Sequence, residues 1–141
     1  MDDEHQLGEV IRVTEQYLKD YRKLRLEIET LEESKIKLRN QIAEFQASKF
    51  KPIAKEERKT LTDALIRMEA LNLDYAKRIG KIMKQRFAVE RFIDDLEDPT
   101  TRTIFRLRYV EGLEWEEVCV KVHYSWKQVH RKHRRALSNM G

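Results

Sequence analysis

The sequence contains few residues that interrupt helices or cross-link a chain. Its 141 residues include four Gly, two Pro and one Cys. Outside Pro52 and Pro99 the chain runs through long spans that are dominated by Leu, Glu, Lys, Arg and Ile, most of them good helix formers. Cys119 has no second cysteine in this sequence with which to form an internal disulfide. The composition therefore predicts an all-α chain.

Long apolar runs are also missing. No stretch approaches the roughly 20 apolar residues that are needed to cross a bilayer. The first residues, MDDEHQ, are acidic, whereas a signal peptide begins with basic residues and continues with apolar ones. Both features predict a cytoplasmic protein with no membrane partner. Hydrophobic residues make up 40% and charged residues 38% of the chain, which is lean for one thick core and favours elongated helices.

Apolar residues recur every seven positions in the first part of the chain. One series runs from Leu7 to Ile42, and a second, three residues later, runs from Val10 to Phe45. The segment ASKFKPIAKEE follows, and its proline, Pro52, stops any continuous helix. The pattern predicts a first long amphipathic helix that ends at this break.

A second seven-residue pattern follows the break, with a main series that runs from Leu61 to Leu96. Between these positions we place a companion series made of Leu65, Asn72, Ile79, Arg86 and Ile93. Two long helices joined by a short break predict an antiparallel hairpin, with each helix about 60 Å long at 1.5 Å per residue. Residues 1–97 are therefore predicted to be a long helical hairpin, or coiled coil.

Three polar residues, Lys35, Asn72 and Arg86, fall on these predicted apolar stripes. Polar residues at such positions often set the register or the number of chains in a coiled coil. We therefore expect the hairpin to form a homo-oligomer or to bind a partner.

The third part of the chain begins at Asp98 and Pro99, which form a typical helix start because an N-cap side chain precedes a residue with a fixed φ. The helix is predicted to run to about Val110. Gly112 then occupies a terminating position where φ is often positive. Residues 98–141 are predicted to be a separate small domain.

Two more helices are predicted in this domain. A short one runs from about Glu114 to Val122 and is followed by a tight turn, HYS. Ser125 then begins the last helix, and Gln128 three residues later completes a capping box. Two helices joined by a tight turn predict a helix-turn-helix, whose last helix normally lies in the DNA major groove.

Acidic residues are absent from the end of the sequence. Between Asp94 and Glu117 there are eight acids and three bases, whereas residues 118–141 contain six bases, three His and no acid. Helical spacing places four residues of the last helix on an inner side: Val129, His133, Ala136 and Leu137. The outer side then carries Trp126, Lys127, His130, Arg131 and Arg134. Arg and Lys neutralise phosphates or donate to guanine, so this face is predicted to bind double-stranded DNA.

The segment TRTIFRLRYVEGLEWEEVCVKVHYSWKQVHRKHRRAL resembles region 4 of bacterial sigma factors, the domain that reads the −35 promoter element. The parts RYVEGLEWEEV and YSWKQVHRKHRRAL are similar to small phage-encoded proteins of Gram-positive bacteria that carry this domain and are known or presumed to regulate late transcription. The resemblance covers residues 98–138. It implies a sigma-like regulator in the cytoplasm of a bacterial host, with RNA polymerase as a further partner.

The same resemblance assigns roles to individual residues. It implies that Ser125 is the helix cap and that Leu107, Val118, Val129, Ala136 and Leu137 form the core. It places Trp126, Lys127, His130 and Arg131 where sigma proteins contact bases and phosphates. To these we add three basic residues as DNA contacts: Lys121, Arg134 and Arg135.

Three residues depart from the sigma pattern. Cys119 replaces a small Ala or Gly, and it behaves as a small hydrophobe. His123 lies in the turn where Gly is common, which His tolerates because it is enriched at positive φ. Lys132 stands where an apolar residue is frequent, so the last helix is expected to pack differently at this position.

No motif in the sequence indicates a metal site or an enzyme. Cys119, His123, His130 and His133 have spacings that match no familiar zinc pattern. No Gly-rich phosphate loop or nucleophile signature is present. We therefore expect no catalytic residue, no metal and no cofactor.

Three classes of function agree with these features. The first is a sequence-specific DNA-binding transcriptional regulator, a phage late-gene or sigma-like activator. The second is a phage DNA-packaging recognition subunit of the small-terminase kind, which also combines a helix-turn-helix with a helical hairpin but forms rings. The third is a coiled-coil interaction protein without DNA binding.

Overall fold

The computed structural model describes residues 12–47 and 54–139, and within these ranges the chain is helical and contains no strand. The elements in chain order are α1 (Glu15–Ala47), α2 (Lys55–Asp94), α3 (Pro99–Phe105), a π-helical segment (Arg106–Val110), α4 (Trp115–Val122) and α5 (Trp126–Ser138). The all-α prediction is therefore confirmed. Leu7 and Val10 of the first apolar pattern, and Pro52 of the predicted break, lie outside the described residues. None of the described helices has both the length and the apolar character that crossing a membrane requires.

The two long helices pack against each other in antiparallel directions. Arg78 of α2 forms an ion pair with Glu27 of α1, and the Tyr75 hydroxyl donates to Glu32 Oε1 at 2.6 Å. Lys35 Nζ lies 4.1 Å from the centroid of the Tyr75 ring. Because residue numbers rise along α1 while those of their partners fall along α2, the predicted hairpin is confirmed.

The described chain divides into two compact units. The hairpin unit consists of the described residues between 24 and 82, and the C-terminal unit consists of the described residues up to 23 together with those from 83 onward. The C-terminal unit thus contains the described part of the predicted 98–141 domain and also the ends of both long helices.

The predicted register is correct for α1 from Tyr21 onward and partly wrong for α2. Before Tyr21, the fully buried residue is Leu18, which belongs to neither predicted series, whereas Thr14 is exposed. Tyr21, Leu24 and Ile28 of the first pattern are buried. On α2, by contrast, Asn72 is exposed whereas its neighbour Leu71 is buried.

The companion series of α2 mostly lies three residues after the main series, not four. Arg78 and Gln85 are half-buried whereas Arg86 is exposed. At Ile93, which is fully buried, the spacing changes to four. This shift has a physical cause, since a helix of 3.6 residues per turn drifts against a strict seven-residue period. Asn72 and Arg86 are therefore not on the buried stripe, whereas Lys35 is half-buried on it.

The C-terminal unit has a core in which Ile104, Val118 and Val129 are fully buried. Five half-buried residues pack against these three: Leu107, Leu113, Trp115, Cys119 and Val122. The predicted core positions Val118, Val129 and Ala136 are buried, and Leu137 is half-buried. Cys119 therefore acts as the small apolar residue that was predicted.

The predicted helix boundaries of this unit are confirmed in most respects. Asp98 caps α3 by accepting from Thr101 N at 3.1 Å, and Pro99 is the first helical residue. Gly112 has a φ of 76°, as expected for a terminating residue. The helix that was predicted to run to Val110 instead widens into the π-helical segment, where Glu111 N donates to Arg106 O at 2.9 Å.

Candidate nucleic-acid interface

The start of α5 is fixed by its turn and its cap. His123 ends α4 in the left-handed conformation, with a φ of 60°. Ser125 Oγ accepts from Gln128 N at 3.2 Å, and Ser125 N donates to Gln128 Oε1 at 3.1 Å. Both bonds of the predicted capping box are present, so local chemistry determines where and in which direction α5 begins.

The inner side of α5 packs on the rest of the C-terminal unit. Val129, His133 and Ala136 are buried, as the helical spacing predicted. The His133 ring stacks at 5.0 Å from the Phe105 ring, and His133 Nε2 lies 2.6 Å from the Tyr109 hydroxyl. Burial lowers the pKa of His133 to about 4, so this histidine is neutral at neutral pH and adds no charge to the interface.

The outer side of α5 carries a row of basic residues, which we call the basic stripe: Lys127, Arg131 and Arg134. They are spaced by four and three residues, so they share one side of the helix. All three are exposed, and within the described ranges none of their side chains forms an ion pair or hydrogen bond. Their donors are therefore free to bind an anionic ligand.

Arg135 and Lys121 are also exposed, and neither side chain has an ion-pair partner among the residues that the structure describes. Arg135 follows Arg134 on α5, and Lys121 lies in the last turn of α4. The donors of both side chains are therefore also free to bind an anionic ligand.

Trp126 and His130 are brought together at one edge of α5. Trp126 is 51% exposed, and its ring centroid lies 4.3 Å from that of His130. On its other side His130 lies 4.5 Å from the Trp115 ring, and burial lowers its pKa. His130 is therefore half-buried, although helical spacing predicted it on the outer side of α5. Its ring packs against the exposed Trp126 ring.

Lys132 does not belong to the free basic surface. Its Nζ donates to Asp98 Oδ2 at 2.9 Å, and the same oxygen accepts from the Thr101 hydroxyl at 2.7 Å. These hydrogen bonds lower the pKa of Asp98 to about 2. The ion pair joins α5 to the start of α3, so Lys132 is bound within the protein.

Two arginines that sequence reasoning missed hold the loop before α4. Arg22 Nη2 donates to Gly112 O at 3.1 Å and to Glu114 Oε1 at 3.2 Å. Arg108 Nη1 donates to Leu113 O at 3.0 Å, and its guanidinium lies 4.6 Å from the Trp115 ring centroid. Both arginines are bound within the protein. Spacing along the sequence gave no signal for these contacts, because Arg22 is 90 positions away from Gly112.

The candidate metal ligands do not come together. Among the residues that the structure describes, no group of three or more His, Cys, Asp or Glu side chains is placed to hold a metal ion.

The protein is thus an all-α chain in which a helical hairpin is followed by α3, the π-helical segment, α4 and α5. A three-residue turn joins α4 to α5, and α5 carries the basic stripe. A family model described as "Protein of unknown function (DUF1492)" matches residues 53–141, and the chain belongs to this family. Comparison with curated proteins and with solved structures finds no significant match.

Proposed function

We propose that the protein is a sequence-specific DNA-binding transcriptional regulator and that α5 lies in the major groove. The basic stripe of Lys127, Arg131 and Arg134 supports this proposal, because three unpaired cations on the exposed side of a capped helix can neutralise phosphates or donate to guanine edges. No acidic residue follows Glu117, so α5 itself carries no carboxylate that could pair with the stripe.

The residues of the interface take different roles. Recognition helices contact bases through their N-terminal residues, so Lys127 and Arg131 read bases. Arg134 and Arg135 bind phosphates, as does Lys121 from α4. The exposed Trp126 ring packs on sugars or on thymine methyl groups.

The resemblance of residues 98–138 to sigma region 4 gives the proposal its finer form. The protein is then a phage-encoded, sigma-like activator of late genes that works in the cytoplasm of a bacterial host and contacts RNA polymerase. The helical hairpin supplies the oligomerisation, so that two copies of α5 read two half-sites about one helical turn apart.

DNA selection with the purified protein, followed by titration at several salt concentrations, tests the proposal. Arg131→Ala is expected to weaken specific binding by about 1–3 kcal/mol and to relax the preference at one base. Arg134→Ala is expected to weaken binding to all sequences and to lower the salt slope by about one unit. The matched control is Arg67→Ala, because Arg67 is an exposed arginine on α2 with no described ion-pair partner.

Two outcomes would favour the other classes of function. A ring in native mass spectrometry, with specific binding at packaging sites and not at promoters, would indicate a packaging subunit. Failure to bind any DNA at moderate salt would contradict DNA binding and would leave a coiled-coil interaction protein.

A further inference from the structure

Four side chains of the C-terminal unit form a continuous row of ring contacts. The Arg108 guanidinium lies 4.6 Å from the centroid of the Trp115 ring. The Trp115 ring lies 4.5 Å from that of His130, which in turn lies 4.3 Å from that of Trp126. We call these four side chains the aromatic column. It runs from the π-helical segment through α4 to α5, and it ends at the exposed Trp126 ring.

The inner end of the aromatic column is held by the rest of the C-terminal unit. Arg108 is half-buried, and its Nη1 donates to Leu113 O at 3.0 Å. Trp115 also contacts the buried His133, with ring centroids 4.8 Å apart. Because both Arg108 and Trp115 have these further contacts, the Trp115 ring provides a fixed surface on which His130 packs.

His130 occupies the middle of the column. It follows Trp126 by four residues on α5, so the two side chains share one side of the helix. Its Nε2 atom is buried and forms no hydrogen bond with any residue that the structure describes. This nitrogen is therefore not presented to a base edge, although the sequence analysis predicted His130 as a DNA contact. The contacts of its ring instead favour a role in holding Trp126.

Trp126 forms the outer end of the column and is 51% exposed. It is the first residue of α5 and precedes Lys127 of the basic stripe. Because His130 already orders the indole ring in the free protein, little conformational entropy is lost when a ligand packs on the exposed part of that ring. The column thus presents an apolar surface at a defined position beside a cation.

The proposed function leaves two contacts open for Trp126, namely sugars and thymine methyl groups. The N-terminal residues of a recognition helix contact base edges. Most groups on those edges in the major groove are hydrogen-bond donors or acceptors, and the C5 methyl of thymine is the apolar group among them. An indole face at the first position of α5 therefore matches the methyl group better than it matches a sugar.

We propose that Trp126 is a specificity-determining residue that reads the C5 methyl of a thymine, and that Trp115 and His130 are positioning residues that hold its ring for this contact. This inference rests on the proposed DNA-binding function and names the base that one residue of the interface recognises. It gives His130 a different task from the one that the resemblance to sigma proteins implies, because the imidazole acts through Trp126.

Replacement of thymine by uracil tests the contact, because uracil keeps the hydrogen-bonding groups of thymine and lacks only its methyl group. In the duplex obtained by DNA selection, each thymine is replaced in turn, and the full chain is titrated with every duplex. At one thymine the replacement is expected to raise the dissociation constant roughly fourfold, the size expected for one buried methyl group.

In Trp126→Ala the difference between the thymine and uracil duplexes is expected to disappear at that position. The matched control is Phe87→Ala, which is expected to retain the difference, since Phe87 is also an exposed aromatic residue and lies on α2. If no thymine shows a uracil effect that depends on Trp126, the proposal is wrong.

Variants of His130 test the column. His130→Ala removes the ring between two indoles and is expected to reduce the uracil effect to less than about twofold. His130→Phe keeps a ring but removes both nitrogens, so it is expected to retain the full effect. Because the effect compares two duplexes with one protein, a general loss of stability does not imitate it. Loss of the effect in both variants, or in neither, would overturn the positioning role.

Fluorescence reports on Trp126 directly, because the chain contains two tryptophans and both belong to the column. In Trp115→Phe the remaining tryptophan is Trp126, and binding of the thymine duplex is expected to protect it from quenching by acrylamide. Trp126→Phe is the control, since the remaining Trp115 is already half-buried in the free protein. Equal quenching of Trp126 in the free and bound protein would contradict the contact.

These outcomes separate the thymine contact from the proposed function. Specific DNA binding without a uracil effect that depends on Trp126 contradicts the thymine contact alone. A protein that binds no DNA sequence specifically contradicts the proposed function, and the thymine contact is then excluded with it.

Discussion

His133 Nε2 lies 2.6 Å from the Tyr109 hydroxyl beneath α5, and both side chains are buried. Burial lowers the pKa of His133 to about 4 and raises the pKa of Tyr109 to about 12. Both groups are therefore neutral over a wide range of pH. The inner side of α5 thus packs through a neutral pair of polar side chains. In acid, His133 of this pair would have to gain a charge.

We expect the protein to lose stability as the pH falls from about 6.5 to about 4. The pKa of His133 is lower in the folded chain than its ordinary value of 6.5, so the unfolded chain binds the proton first. The full loss is on the order of 3 kcal/mol, and nearly all of it appears below pH 6.5. Urea unfolding at pH 7 and at pH 4.5 measures it.

His133→Leu is expected to reduce this pH dependence, since the buried imidazole that must gain a charge in acid is then absent. His123→Gln is the matched control, because His123 is exposed in the turn. An identical loss of stability in His133→Leu and in the wild type would contradict the assignment.

Lys132 and Asp98 provide a second pH-dependent contact, which titrates at lower pH. The pKa of Asp98 is lowered from 3.8 to about 2, first by its hydrogen bond with Lys132 and then by that with Thr101. Because the folded pKa is the lower one, the stabilisation is present above pH 3.8 and is lost as the pH falls towards 2. Lys132→Met is expected to raise the pKa of Asp98, which carboxyl NMR measures.

Asp98→Ala additionally removes the cap of α3 and is expected to cost about 1 kcal/mol at pH 7. Asp98→Asn should cost less, since Asn is also a good N-cap. Asp95→Asn is the control, because the Asp95 side chain is exposed and has no described ion-pair partner. Equal stability of Asp98→Ala and Asp95→Asn would argue against the cap.

The local parts of the fold could be predicted from the sequence. Asp98, Gly112 and Ser125 mark helix ends through interactions with residues at most a few positions away. Such short-range chemistry is present in the sequence itself, and these predictions were confirmed. The buried side of α5 followed in the same way from helical spacing.

Contacts between distant residues could not be predicted. Tyr109 and His133 are 24 positions apart, and nothing in the periodicity links them. A closer look at the spacing could have placed Tyr109 on the face of Phe105, four residues earlier, but not against α5. His130 was placed on the outer side, and its position between two indole rings depends on Trp115, which lies in a different helix.

The register of α2 provides a direct test of the hairpin. Leu71 is buried and Asn72 is exposed, although the sequence pattern selected Asn72 for the stripe. Leu71→Ala is expected to cost about 2–4 kcal/mol in the free energy of unfolding. Asn72→Ala should change it by less than about 0.5 kcal/mol. Thermal and urea unfolding measure the stability of the two variants. A larger loss in Asn72→Ala than in Leu71→Ala would favour the register that was predicted from the sequence.

The extent of the C-terminal unit predicts how stable a fragment of the chain is. A fragment of residues 96–141 begins near the predicted domain boundary, but it lacks Val89 and Ile93, which are fully buried in the C-terminal unit. It also lacks Phe92, whose ring lies 5.6 Å from that of the buried Phe105. Removing these residues exposes apolar surface in a domain that is already small.

We therefore expect residues 96–141 to be helical but weakly stable, with a broad thermal transition and poor DNA binding. A fragment of residues 83–141 regains Val89, Phe92 and Ile93 and should melt at a higher temperature and more sharply. Circular dichroism melts of the two fragments beside the full chain make the comparison. If residues 96–141 melted as sharply and at the same temperature as the full chain, the ends of the long helices would contribute nothing to this unit. The basic stripe would then be presented by a domain that is stable without them.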